Sequence, residues 1–480
     1  MKKIFLQLPA ILFVGVMVFT SCKKPACEDC REKNKPPIAV AGTITLPADS
    51  VLLSGSTSHD PDGTIVSFLW SKISGPSSFT IVSPNAEQTW VKNLIPGTYV
   101  FELTVTDNDG LSSKAYVYVN AKPVNCDSNR PLVTAQLIPI GTYPDARENI
   151  TIASAGSKIL FAGGYRSNNS GGWQFYSRVD IFDVNTNTWA SGELSQARHG
   201  MATAVLGNKI FFAGGVRDIG TMSSRVDIYD VTMNSWSTAE LSLARTEITG
   251  AATGNKVLFA GGIIGLSQYS NTVDIFDTLT NTWSTNSLPG GEAVGATATV
   301  IDNNIYIAGN ASDWWAWDFG KISSSINIYN VNTNAWSTSD LSIPRGYLAG
   351  IAIGNKNCWA GGVYSQPYNP FSTLVEIRDM DAGTSTFGCL FQPNAFFSAV
   401  LKNNRIIFFT SGVNVPDYWS MPPPVMQKFD IYDIDSNTWS IGVLPASIYG
   451  SSVISVNNTI YIAGGFVNGG LSKQVWKLEF

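Results

Sequence analysis

Between residue 158 and the end of the chain one short element recurs seven times: KILFAGG (158–164), KIFFAGG (209–215), KVLFAGG (256–262), NIYIAGN (304–310), KNCWAGG (356–362), RIIFFTSG (405–412) and TIYIAGG (459–465). The copies stand about fifty residues apart, a period that marks a structure made by stacking one unit. Each of the first six is followed by a second element, RVDIFD (178–183), RVDIYD (225–230), TVDIFD (272–277), SINIYN (325–330), LVEIRD (374–379) and KFDIYD (428–433). A tight turn then leads to Trp189, Trp236, Trp283, Trp336 and Trp439, and in the fifth copy Phe387 is read as the counterpart.

Each part of this unit reads as a short strand or its turn. Paired glycines at a strand end let backbones approach closely and supply the positive φ needed to leave the strand. The VDIYD alternation is a half-buried strand, and DVNTNTW is a hairpin turn that delivers a large aromatic between neighbouring sheets. Charged residues are only 14% of the chain and aromatics 11%, with abundant Gly, which suits strands and turns better than helices. Four strands per repeat, arranged radially, make a propeller blade, and seven copies imply seven blades. Over about residues 131–480 the repeat resembles that of kelch β-propellers. Its departures are local: Asn310 and Ser411 replace glycines, and Phe387 replaces tryptophan.

The seventh copy runs only to QVWKLEF and lacks a tryptophan-bearing strand. Upstream, LVTAQLIPIGTYPDAR (132–147) ends in Arg147 nine residues after Ile138, the spacing that separates Trp189 from Arg198, Trp236 from Arg245 and Trp336 from Arg345. This segment is expected to supply the missing fourth strand, with Ile138 at the tryptophan place. Both ends of the repeat region then close the ring and remove an exposed edge.

Residues 1–22 read as an address: Lys2 and Lys3, an apolar run from Ile4 to Phe19, then Thr20-Ser21-Cys22. They resemble the signal and lipobox of bacterial lipoproteins, which implies acylation of Cys22. An ordinary signal peptide or an uncleaved anchor is the alternative. The resemblance implies a lipoprotein of the bacterial cell envelope, in the outer membrane and facing either the periplasm or the outside, with the lipid as its sole membrane attachment. Residues 23–35 form a charged tether. Export permits disulfides, and the five remaining cysteines, Cys27, Cys30, Cys126, Cys358 and Cys389, leave at least one unpaired within the chain. Cys27 and Cys30 lack a second such pair or a nearby His for zinc, so a local disulfide or a link to Cys126 is expected. A net charge of −5 gives no basic field, which excludes nucleic acid as a partner class.

Residues 36–121 carry short alternating runs, SVLLSGS, TIVSFLW, TYVFELTVTD and KAYVYVNA, the pattern of a small β-sandwich. The turns DPDG (60–63) and TDNDG (106–110), with Trp70 at a strand end, resemble the polycystic-kidney-disease-type (PKD) domain, an immunoglobulin-like sandwich. Such domains are spacers or adhesive modules, and some bind calcium through acids in these turns. Asp60, Asp62 and Asp107 are therefore candidate metal ligands, and their alternative role is to shape the turns by bonding their own backbone. Residues 122–130 link this sandwich to the propeller. The expected fold is thus all-β: a PKD-like sandwich followed by a seven-bladed kelch-type propeller.

In such a propeller the loops leaving each glycine pair and the segments entering each blade share one face. The entry segments place Arg147 with Glu148, Arg198 with His199, Arg245 with Glu247, and Arg345 with Tyr347 near the mouth. Arginines there hold anionic ligands bidentately, or else tie strand ends to backbone carbonyls. The loops carry aromatics that the repeat does not require: Trp173, Phe175 and Tyr176, then Trp314, Trp315 and Trp317, then Tyr364, then Trp419. Loop aromatics stack on sugar rings or anchor a protein, unless they bury one another. The candidate ligand site is accordingly Trp173, Arg198, Arg245, Trp314, Trp315, Trp317, Arg345, Tyr364 and Trp419.

Only two histidines occur, His59 and His199, so the two-His copper site of galactose oxidase-like kelch enzymes cannot be assembled. The propeller also resembles, at family level, kelch sugar mutarotases acting on sialic acid, a chemistry that could use Glu and Arg alone, yet no catalytic pair stands out here. The sequence is therefore read as that of an envelope binding protein, without a cofactor beyond calcium in the sandwich. The expected partner is a glycan, with an envelope or extracellular protein as the alternative.

Overall fold

The computed structural model describes residues 33–44, 50–121, 129–167, 172–265, 268–311, 322–363, 371–392, 395, 398–409 and 427–480. Within these residues every regular element is a strand.

The N-terminal unit packs two sheets. One pairs Gly42–Ile44, Val51–Ser54, Gln88–Lys92 and Thr80–Ile81, and the other pairs Ile65–Ser74, Gly97–Asp107 and Ser112–Ala121. Alternation along Gly97–Asp107 turns Tyr99, Phe101, Leu103 and Val105 inward against Leu53, Val91 and Trp70. Trp70 lies within the strand Ile65–Ser74 instead of at its end, 2% exposed, with its indole N–H donated to the Ala86 carbonyl at 3.1 Å.

The rest of the described chain is a ring of seven four-stranded antiparallel units. Blade one is Thr151–Ala155, Lys158–Ala162, Arg178–Asp183 and Thr188–Glu193. The first strands of successive blades lie side by side in one cycle that returns from Ser452–Val456 to Thr151–Ala155, so these strands surround the axis. The glycine-ended second strand is the best buried, as KIFFA of blade two, in which Ile210, Phe211, Phe212 and Ala213 are all inaccessible.

The glycine pair behaves as the repeat predicts. Gly163 and Gly164 have φ of +64° and +98°, and a Cβ on Gly163 would fall 2.2 Å from the Arg198 carbonyl oxygen of the next blade. That carbonyl instead accepts the Gly164 N–H at 3.1 Å, a bond repeated from Gly215 to Arg245. The fourth-strand tryptophan seals the same seam further out. Trp236 packs on Tyr229 of its own blade at 4.8 Å between centroids, and a Cβ on Gly192 of the preceding blade would fall 3.0 Å from its Nε1.

The ring closes as expected. Gln136–Thr142 pairs antiparallel with Gln474–Glu479 as the fourth strand of blade seven, and Trp189 of blade one packs on its Gly141. Just before it, Leu132–Thr134 adds to blade six as a fifth, parallel strand beside Thr438–Val443. Two register expectations need correction. A bulge between Val475 and Trp476 sets Leu137, not Ile138, opposite Leu478, the place that Trp189 holds opposite Phe182. In blade five the residue opposite Arg378 is Ser385, while Phe387 faces Glu376 two positions on. Spacing alone missed both: the bulge shifts Ile138 by one residue onto the other face of its strand, and in blade five the aromatic keeps its face but stands two residues further along.

Candidate functional site

The strand-entry arginines come together with the blades' own acids. Arg147, Arg198, Arg245 and Arg345 are each 0% exposed. Arg147 pairs with Asp180, Arg245 with Asp274, and Arg198 with Asp227 at 2.7 Å, while Arg345 lies 3.7 Å from Glu376. Each also donates to carbonyls at the end of the second strand and the start of the third, as from Arg345 to Gly361 and Leu374, each at 2.9 Å. The acid also accepts a backbone N–H from the entering connection: Ser195 to Asp227, Ser242 to Asp274 and Ser342 to Glu376. Burial lowers the Arg345 pKa to about 10 against the pull of Glu376, which leaves it charged at neutral pH. Each arginine thus ties two strands of its own blade. The ligand-holding role expected for Arg198, Arg245 and Arg345 passes to the framework, since no ligand reaches a fully covered guanidinium.

A further arginine escaped the sequence. Blade six keeps the acid, Asp430, but no arginine precedes its first strand; Arg130 from the interdomain segment reaches it at 2.7 Å and also bonds the Cys389 carbonyl. Burial raises the Asp430 pKa to about 7, opposed by Arg130 and by the Phe391 N–H. An acid in the repeat without its usual partner was the signal that a partner would come from elsewhere. Where the arginine is missing in blades four and seven, the acid is gone too: Asn327 and Trp476 stand there.

On the same side as these entries, short hairpins rise after the glycine pairs and are joined to them by single bridges, Glu148 to Tyr165, His199 to Val216, Thr246 to Ile263 and Gly346 to Val363. This brings the two loop sets onto one face. The hairpin of blade one, Tyr165–Ser167 and Trp173–Phe175, carries an open aromatic cluster. Trp173 is 48% exposed and packs on Tyr165 at 4.7 Å, and the His199 ring meets Tyr165 at 4.7 Å and stacks on Phe175 at 5.5 Å. Polar groups rim it. Tyr165 donates to Glu148 Oε2 at 3.5 Å, and Asn149 Nδ2 lies 3.2 Å from His199 Nδ1. Burial raises the Glu148 carboxyl, partly offset by that tyrosine, and lowers His199 to about 4, so the imidazole is neutral at physiological pH. Such a site can stack on an apolar ring face and bond hydroxyls at its edge.

Trp314, Trp315, Trp317, Tyr364 and Trp419 lie outside the described residues, as do Cys22, Cys27, Cys30 and Cys126. Cys358 is a buried free thiol, whereas Cys389 is disulfide-bonded. In the sandwich, Asp60 keeps one buried carboxylate oxygen without a hydrogen-bond partner, while Asp62 and Asp107 bond backbone amides. Among the described residues no group of three acids, histidines or cysteines is placed to hold a metal. Asp107 is spent on its turn: Oδ1 accepts the Asp109 and Leu111 amides, each at 2.9 Å, and Oδ2 accepts Asn34 at 3.0 Å. Burial alone would raise its pKa, but these bonds hold it below the usual carboxylate range. Asp62 accepts the Lys35 amide at 3.0 Å.

Comparison with known proteins agrees with this division. Residues 41–121 match a family model of the PKD domain, and residues 197–240 and 244–285 match the kelch motif. The Dyslexia-associated protein KIAA0319-like protein of Mus musculus is 43% identical over 105 residues, 21% of this chain and 10% of that protein. Low-density lipoprotein receptor-related protein 11 of Homo sapiens is 38% identical over 92 residues, 18% of each chain. The kelch-like protein terF of Aspergillus terreus is 27% identical over 199 residues, 37% of this chain and 39% of its own. This chain spans about a tenth of the first of these relatives. It carries a PKD-like domain followed by kelch repeats, a combination that suggests an interaction or adhesion role.

Proposed function

We propose that this chain is a lipid-anchored envelope protein whose propeller recognises a glycan on its loop-rich face, with the PKD-like domain as the spacer between membrane and propeller. The observation that carries it is the open aromatic cluster of blade one, where Trp173 is 48% exposed beside Tyr165, Phe175 and His199. An exposed indole forgoes burial that the neighbouring rings could have given it, and a sugar ring stacked on it would recover that area. Glu148 and Asn149 at the edge supply an acceptor and an amide for hydroxyls. The anchor rests on Cys22 at the end of the apolar N-terminal run, and it is tested by acyl labelling lost in Cys22→Ala.

The test of recognition is a glycan array probed with the full-length protein. Trp173→Ala is expected to weaken the signal at least about tenfold, the loss of one stacked ring, while Tm stays unchanged. A blank array with the wild-type protein, together with a protein recovered by cross-linking on this face, would replace the glycan by a protein partner.

A further inference from the structure

Each described entry to a blade passes through one residue in the left-handed backbone region: Asn149 (φ 51°), Gly200 (64°), Glu247 (54°), Gly295 (59°), Tyr347 (53°) and Gly450 (65°). The first strand of the blade begins two residues later, so these six stand around one end of the ring's axis. Glycine and asparagine adopt this conformation readily, but glutamate and tyrosine do so under strain. The fold itself asks for no side chain here, because glycine suffices in blades two, four and seven.

Tyr347 is accounted for by packing. It is 7% exposed, lies against Gly295 and joins Val294, Val363, Tyr269 and Phe371 in one cluster. Glu247 is not. Among the described residues its carboxylate has no hydrogen bond or ion pair, and the side chain is exposed. Desolvation by the protein around it raises its pKa, and Tyr347 is within its electrostatic reach.

The charges that accompany it limit what could bind. Glu292 lies on the next entry segment and Glu148 two entries away, the exposed Arg166 and Arg217 stand further out on the hairpins of blades one and two, and the entry arginines turn inward onto Asp180, Asp227, Asp274 and Glu376. At Glu247 and Glu292 a carboxylate or sulfate would meet like charge, whereas a pair of sugar hydroxyls would donate to a carboxylate that has no donor from the described protein.

We propose that Glu247 is the polar anchor of an axial subsite that takes an uncharged, hydroxyl-rich sugar and rejects acidic ones. This rests on the glycan recognition proposed above and gives it a chemical class. The experiment uses the full-length protein on an array of neutral hexose- and N-acetylhexosamine-terminated glycans together with sialylated, uronate-containing and sulfated ones.

The wild-type protein is expected to bind neutral members, Glu247→Gln to bind them several-fold more weakly, and Glu247→Gly to lose at least about tenfold while Tm holds or rises through relief of strain. Full binding by Glu247→Gly, a Tm several degrees lower in that variant, or a wild-type preference for acidic glycans overturns the axial subsite and leaves glycan recognition standing. A blank array with the wild-type protein removes both.

Discussion

Blades two and five share one backbone plan and seal themselves by different chemistry. In blade two, Tyr229 packs at a tilt against Trp236 at 4.8 Å between centroids, and Ile210 fills the position beside Tyr229 on the second strand. Blade five has Arg378 where Tyr229 stands, Ser385 where Trp236 stands and Asn357 where Ile210 stands. Its tryptophan has moved to the second strand: Trp359, fully buried, lies under the Arg378 guanidinium at 5.6 Å. Arg378 also donates to Ser339 Oγ at 3.1 Å and the Asp340 carbonyl at 2.6 Å in blade four, and to Glu376 at 2.6 Å. An apolar seam tolerates any ring of the right volume, whereas a polar one must satisfy each donor. Blade five does not satisfy them all, since both amide atoms of Asn357 and Nε1 of Trp359 are buried without partners.

The sharpest way to break this comparison is to remove the entry arginine from each blade. Arg198→Ala leaves Asp227 buried without its cation and is expected to cost about 4 kcal/mol, whereas Arg345→Ala should cost about half as much because Arg378 still holds Glu376. Equal losses in denaturant titrations would show that Arg378 does not share the load.

A smaller difference lies at the next residue, His199 in blade two and Gly346 in blade five. The folded pKa of His199, lowered to about 4 by burial, is below its unfolded value near 6.5, so the neutral ring contributes stability above pH 6.5 that is lost as pH falls toward 4. The expected loss is about 2 kcal/mol between pH 7 and pH 5. Comparing Tm across that range in wild type and His199→Gln checks it, and parallel profiles would exclude the histidine as the cause.

The smallest expected effect runs the other way. Asn357→Ile restores the residue of blade two, removes two unpartnered buried polar atoms and should stabilise the protein by about 1–2 kcal/mol. A loss of stability would mean that Arg378 depends on the amide.

Much of the fold was legible because the repeat is written in residues with few alternatives: the glycine pairs, the VDIYD strand, the turn before each tryptophan, and a leading segment of the right length to close the ring. What spacing could not give was register, so Ile138 and Phe387 were placed one and two positions away from Leu137 and Ser385. The site was less legible. Arg198, Arg245 and Arg345 are the same residue type whether they face a ligand or a carbonyl, and only burial tells the two apart. Trp173 was found because the repeat does not explain it. Glu247 was visible beside Arg245, but its strain appears only as a backbone angle.

The sequence by itself determined that this chain is all-β, that it divides into a PKD-like sandwich and a kelch propeller, and that the propeller closes with a strand from its own N-terminal side. Those follow from local periodicity and turn chemistry, which each repeat states again. The tertiary structure alone decided which charges are spent and which are left over. Arg130 finds Asp430 across 300 residues, and the entry arginines turn away from the mouth while Glu247 does not. Such pairings depend on distances between blades, and no single repeat encodes those distances.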